Sequence, residues 1–123
     1  MRRVVRNERG SGSMLMIGII TVVLMLSLAG ICLAGYLVAA HRARAAADLA
    51  ALSGAAVFAA GGDGCDAARI NARNNGGHLV SCEQVGDQVD FVITVRVEVR
   101  TPTGVAGLPG TIRAVAHAGS GAA

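Results

Sequence analysis

The chain has 123 residues, of which 53% are hydrophobic and only 2% aromatic, with 17 glycines, no tryptophan and a formal charge of +3. Such a length allows one small domain and little more. The hydrophobicity excludes a disordered chain, and the scarcity of aromatics excludes an ordinary soluble core of this size.

All 11 basic residues are arginines, fixed charges at any physiological pH. Arg2, Arg3, Arg6 and Arg9, set against Glu8, account for the whole excess of +3. From His41 onward seven arginines meet seven acids. A nucleic-acid-binding domain needs a basic stripe on its folded face. The neutral remainder argues against nucleic acid as a partner.

Residues 1–13 read as an arginine-rich cytoplasmic leader. Met14 to Ala40 then runs for 27 residues without a charged side chain. As a helix it spans roughly 40 Å at about 1.5 Å per residue, enough for an apolar bilayer core about 30 Å thick. Four arginines precede the run and only Arg42 and Arg44 closely follow it. The positive-inside rule therefore places the N-terminus in the cytoplasm and residues 41–123 outside a cytoplasmic membrane, crossed once. Val38-Ala39-Ala40 fits a signal-peptidase site, but the run far exceeds the roughly 7–15 residues of a signal-peptide core. An uncleaved anchor is the preferred reading, and a cleaved, secreted binding module the alternative. Leu28-Ala29-Gly30-Ile31-Cys32 is not a lipoprotein box, because Ile31 is too bulky. Gly30 with Ala34, and Gly35 with Ala39, form small-xxx-small pairs that permit close helix contact.

His41 to Ala60 is alanine-rich and continues the helix, giving about 45 residues in one piece. Ala45, Leu49, Leu52 and Ala56 share a face at helical spacing, beside Asp48 and Ser53. Asp48 has two readings, an intrahelical pair with Arg44 or a contact to a partner subunit. Gly61-Gly62-Asp63-Gly64 ends the helix, and Asp63 or Asp66 caps a short second one that stops at Asn74-Asn75-Gly76-Gly77.

Beyond residue 77 the period changes to two. His78–Gln84 forms a first strand and Gly86-Asp87 a turn. Val89, Phe91, Ile93, Val95, Val97 and Val99 form the apolar face of a second. Thr101–Gly110 holds both prolines and reads as a loop. Thr111–Ala118 forms a third strand, with Ala114, Ala116 and Ala118 toward the helix. The fold class is α+β: a long N-terminal helix, a short second helix and a small three-stranded antiparallel sheet, as in pilin-like proteins. Residues 61–119 form the small domain.

Cys32 lies inside the apolar run as a small filler. Cys65 and Cys82, with 16 residues between them, close a stabilising disulfide if the domain is exported, and remain free thiols if it is cytosolic. No catalytic or metal site is evident. His78 and Cys82 share a strand face at this spacing but stand roughly 13 Å apart, too far for one tetrahedral ion. His117 reads as a solvent-facing residue of the third strand. The chain is read as non-enzymatic and without a cofactor.

Arg9-Gly10-Ser11 before the apolar run, and His41-Arg42-Ala43-Arg44-Ala45-Ala46-Ala47-Asp48-Leu49-Ala50-Ala51-Leu52 after it, resemble the TadE/TadG proteins of tight-adherence (Flp) pilus assembly. The second stretch is similar to their signature of an arginine pair followed by A-A-D-x-A-A-L. The cysteine spacing and the valine-alternating strand also fit. Within that family the resemblance is to short TadE-like proteins encoded beside helicase and secretion genes in high-GC Gram-positive bacteria. It implies a pseudopilin or accessory component of a pilus or secretion assembly. The implied partners are the lipid bilayer and other machinery subunits, including further copies of the chain. It also marks Gly10-Ser11-Gly12-Ser13 as a processing site and Asp48 as a contact to a partner subunit, which joins Gly30 and Ala34 of the small-residue pair as a candidate for helix interaction. Prepilin-like members carry a glutamate at the fifth mature residue. Counted from Gly10 that position is Leu15, and from Gly12 it is Ile17. This departure favours an uncleaved, TadG-like accessory protein over a main filament subunit.

Overall fold

The structure is a computed structural model and describes residues 10–101 and 110–121. The leader arginines Arg2, Arg3, Arg6 and Arg9, and most of the Thr101–Gly110 loop, lie outside the described residues. The elements in chain order are α1 (Ser11–Ala59), α2 (Gly64–Asn74), β1 (His78–Gly86), β2 (Phe91–Arg100) and β3 (Thr111–Gly119). The long N-terminal helix, short second helix and three-stranded antiparallel sheet expected from the sequence are all present, in the order β1-β2-β3.

By compactness the chain divides into two units, Met1–Ala34 and Gly35–Ala123. The described residues of the first are Gly10 and the N-terminal part of α1. Its side chains from Met14 to Leu33 are exposed apart from the half-buried Cys32. Thr21 and Ser27 donate their hydroxyls to the carbonyls of Ile17 and Val23, both at 2.8 Å, so neither presents an unmet polar group. The most apolar 18-residue window of α1 has a mean hydropathy of 2.6 and none of it is buried against protein. By length and composition this helix is compatible with a membrane span.

The second unit holds the core. Ala43, Ala46, Ala47, Ala50 and Ala51 of α1 pack with Ala68 and Ala72 of α2 against Phe91, Ile93, Val95, Val97 and Val99 of β2 and Ala114 and Ala116 of β3. Methyl groups on the helices meet β-branched side chains on the sheet. Phe58 and Phe91, the chain's two phenylalanines, close one end edge to face at a centroid distance of 4.8 Å. The helices touch closely where a Cβ on Gly54 would lie 2.8 Å from the Gly64 carbonyl oxygen.

Local chemistry sets the boundaries. Asp63 caps α2, its carboxylate accepting from the Asp66 N–H at 3.0 Å. The helix ends at Asn75, and Gly76 adopts a φ of +78°, which a Cβ would disfavour. Cys65 is disulfide-bonded to Cys82, tying α2 to β1.

Two expectations about the strands change. Val89 does not begin β2; it sits in the turn and is 83% exposed. Asp87 folds the chain back there, its carboxylate accepting from the N–H groups of Val89 and Asp90, both at 2.9 Å. In β1, Leu79 pairs with Val97 but Ser81 pairs with Arg96, so Val80 is an extra, bulged residue. The bulge reverses the alternation: Leu79 and Cys82 both face the core, while His78 falls on the opposite face from Cys82. Simple period-two counting had placed His78 and Cys82 together.

The Asp90 and Val89 N–H groups hold the Asp87 carboxyl below the usual carboxylate range. A carboxylate lowered on folding stabilises at pH above its unfolded value, and the effect is lost as pH falls through the lowered folded value. The acid limb of unfolding in wild type is therefore expected to carry a contribution that Asp87→Ala lacks. A carbonyl-carbon NMR titration placing Asp87 at its ordinary value would refute this.

Candidate assembly surface

The alanine-rich part of α1 has a packed side and an outward side, and the face that Ala45, Leu49, Leu52 and Ala56 share is the outward one. The face buried against the sheet and α2 is Ala43, Ala46, Ala47, Ala50, Ala51 and Gly54. Ala45 and Ala56 are exposed, and Leu49 and Leu52 remain 46% and 61% exposed. The reason is steric: alanines let the helix lie near a sheet already filled by valine and isoleucine. Leucines turned inward would force it away. The larger apolar side chains, Leu49 and Leu52, form an outward strip.

Asp48 stands on this outward side, and it does not pair with Arg44. Among the described residues the ion pairs within 4.0 Å join Arg69 to Asp66 and Arg113 to Glu98. Asp48 lines a groove of about 630 Å³ between α1 and β3, with Tyr36, Ala40 and Arg44 on one wall and Ile112–Val115 on the other. A second groove continues past Leu52 to His117, Ala118 and Gly119. β3 is an edge strand, so its outer backbone groups have no sheet partner of their own. The helix strip, the grooves and the edge run side by side along one flank.

The remaining candidate residues stand apart. Gly30 and Ala34 are exposed on α1, and a Cβ at Gly30 would touch nothing within 4 Å. Gly10 lies in the turn before α1, and Ser11, Gly12 and Ser13 are exposed in its first turn. His117 faces outward and shares a hydrogen bond of 2.8 Å between its Nδ1 and the Thr94 hydroxyl. His78 is opposite Glu98 on the outer sheet face. Among the described residues no group of three His, Cys, Asp or Glu side chains is placed to hold a metal ion. The outward leucine strip was legible only as a helical repeat. Its direction depends on the sheet.

Neither a curated protein nor a solved structure matches the chain. The apolar segment of α1 and the alanine-rich stretch beyond it carry the likeness to known proteins: residues 10–57 match the Tad family, described as putative Flp pilus-assembly TadE/G-like, the family that the arginine pair and its A-A-D-x-A-A-L sequel resemble.

Proposed function

We propose that the chain is a non-enzymatic, single-span membrane protein acting as a TadE/TadG-like pseudopilin or accessory subunit of a pilus or secretion assembly. The observation that carries this reading is the family match over residues 10–57, which covers both the exposed apolar helix and the Asp48 region. The apolar run anchors the chain with its leader in the cytoplasm and the disulfide-bonded unit outside. The Leu49–Leu52 strip, with Asp48 and the neighbouring groove, takes a helix of another machinery subunit or of a second copy. Gly30 and Ala34 allow a similarly close approach within the bilayer.

Mass spectrometry of the native N-terminus tests the anchor. An intact chain supports an accessory protein, and cleavage after Gly10 or Gly12 a processed pseudopilin. A mature chain beginning at His41 refutes both and leaves the secreted binding module. Leu49→Glu with Leu52→Glu is expected to leave folding within about 0.5 kcal/mol of wild type, as surface changes do. The pair should abolish co-purification with pilus-machinery proteins from membranes. Undiminished co-purification would remove the strip from the interface.

A further inference from the structure

The seven arginines and seven acids beyond His41 cancel in the sequence, but the fold of Gly35–Ala123 separates them. The antiparallel sheet has one end at His78, Arg100 and Thr111 and the other at Gly86, Phe91 and Gly119. Tyr36, Ala40 and Arg44 line the groove against Ile112–Val115, whereas Leu52 lies against His117–Gly119. The first end is therefore where α1 enters this unit. α2 finishes toward the same end, with Gly77 close against Val97 and the Glu98 carbonyl.

Toward this end lie Arg42, Arg44, Arg73, Arg100 and Arg113, with Glu98 and Asp48 as the acids beside them among the described residues. Toward the far end lie Asp63, Asp66, Glu83, Asp87 and Asp90, with Arg69 paired to Asp66 at 3.2 Å. Glu98 is held by Arg113 at 2.9 Å, and the other four arginines of the group are exposed and make no ion pair among the described residues. A neutral sum hides a unit with a cationic end and an anionic end.

The cationic end coincides with the last apolar residues of the run, where Leu37 and Val38 are each 51% exposed. Arg42 and Arg44 follow Ala40 by about 3 and 6 Å at the helical rise of about 1.5 Å per residue. Both distances fall within a Debye length of about 8 Å. Tyr36, the chain's one tyrosine, is half-buried at the same end, a residue type favoured at membrane–water interfaces. Guanidinium groups bind phosphate oxygens through paired N–H donors.

We infer that the arginine end of this unit docks on the anionic phosphate headgroups of the bilayer, with the acidic end turned away from it. The inference rests on the reading of α1 as an anchor. The acidic end of a second copy is a rival occupant. It is disfavoured because Tyr36–Ala40 bring the apolar run, and thus the bilayer, to the arginine end.

The test uses the full chain carrying Cys32→Ala, in nanodiscs of phosphatidylglycerol or phosphatidylcholine doped with a headgroup spin-labelled lipid. A fluorophore is placed on Thr111→Cys at the arginine end or on Gln88→Cys in the far turn. In phosphatidylglycerol, quenching at position 111 is expected to exceed that at 88 several-fold. It should fall toward the phosphatidylcholine level in ~1 M salt, where the Debye length is about 3 Å. The charge reversals Arg44→Glu and Arg100→Glu should have the same effect. Equal quenching at both positions, or indifference to lipid charge, overturns the docking alone. Quenching that tracks the number of chains per disc instead of lipid charge assigns the arginine end to a second copy and also overturns it. A chain that washes off the discs overturns the anchor and the docking together.

Discussion

Replacing both Cys65 and Cys82 with serine is expected to lower the unfolding free energy of the Gly35–Ala123 unit by about 3 kcal/mol, the chain-entropy value for a loop of this size. The bond closes a sequence separation of 17 residues and links α2 to β1. α2 has little else to hold it, since its buried positions are Gly64, Ala68 and Ala72, which together offer few methyl groups. Loss of the bond should therefore detach α2 from the sheet before the β2 pairings open. Urea unfolding of the full chain in detergent, with and without reductant, measures the effect. Wild type under reducing conditions should match the double variant, while Cys32→Ser should match oxidised wild type. Coincident wild-type curves with and without reductant would show that the bond does not stabilise this unit.

Ile93→Ala is expected to cost roughly 2–5 kcal/mol, the usual range for a large-to-small change in a closed core. Ile93 is fully buried, the largest such side chain together with Val95 and Val97. It also meets the approach of the two helices, for a Cβ built on Gly64 would stand 2.7 Å from its Cδ1. Leu52→Ala removes a side chain of similar volume, yet should cost less than about 0.5 kcal/mol because that leucine faces outward. Thermal or urea unfolding of the two variants side by side checks the contrast. A Leu52→Ala loss as large as that of Ile93→Ala would mean that the leucines, and not the alanines, contact the sheet.

The contrast also shows where local pattern stops carrying information. In β2 the strict alternation of Ile93, Val95 and Val97 with polar residues defines the inward face without reference to any partner. The ends of α2 are equally local, set by the Asp63 cap and by Gly76 in its left-handed conformation. The apolar run from Met14 to Ala40 is legible from length alone. In the alanine-rich part of α1, by contrast, alanines occupy the packed and the outward side alike, and a helical repeat of leucines marks a face without saying what it faces. The sheet selected the alanine side because small side chains allow close approach. The bulge at Val80 is likewise invisible in β1 by itself, since it exists only as a mismatch in register with β2. It decided that His78 and Cys82 part company.

By itself the sequence determined the element order, the long apolar helix, the alternating strand and a net charge confined to the leader. Each of these follows from the chemistry of neighbouring residues or from a sum over them. Tertiary structure alone decided which side of α1 is free to meet a partner, which edge and groove lie beside it, and how seven arginines and seven acids become separated ends. Those properties depend on residues distant in the chain coming to the same level of the sheet, and no local pattern encodes that alignment.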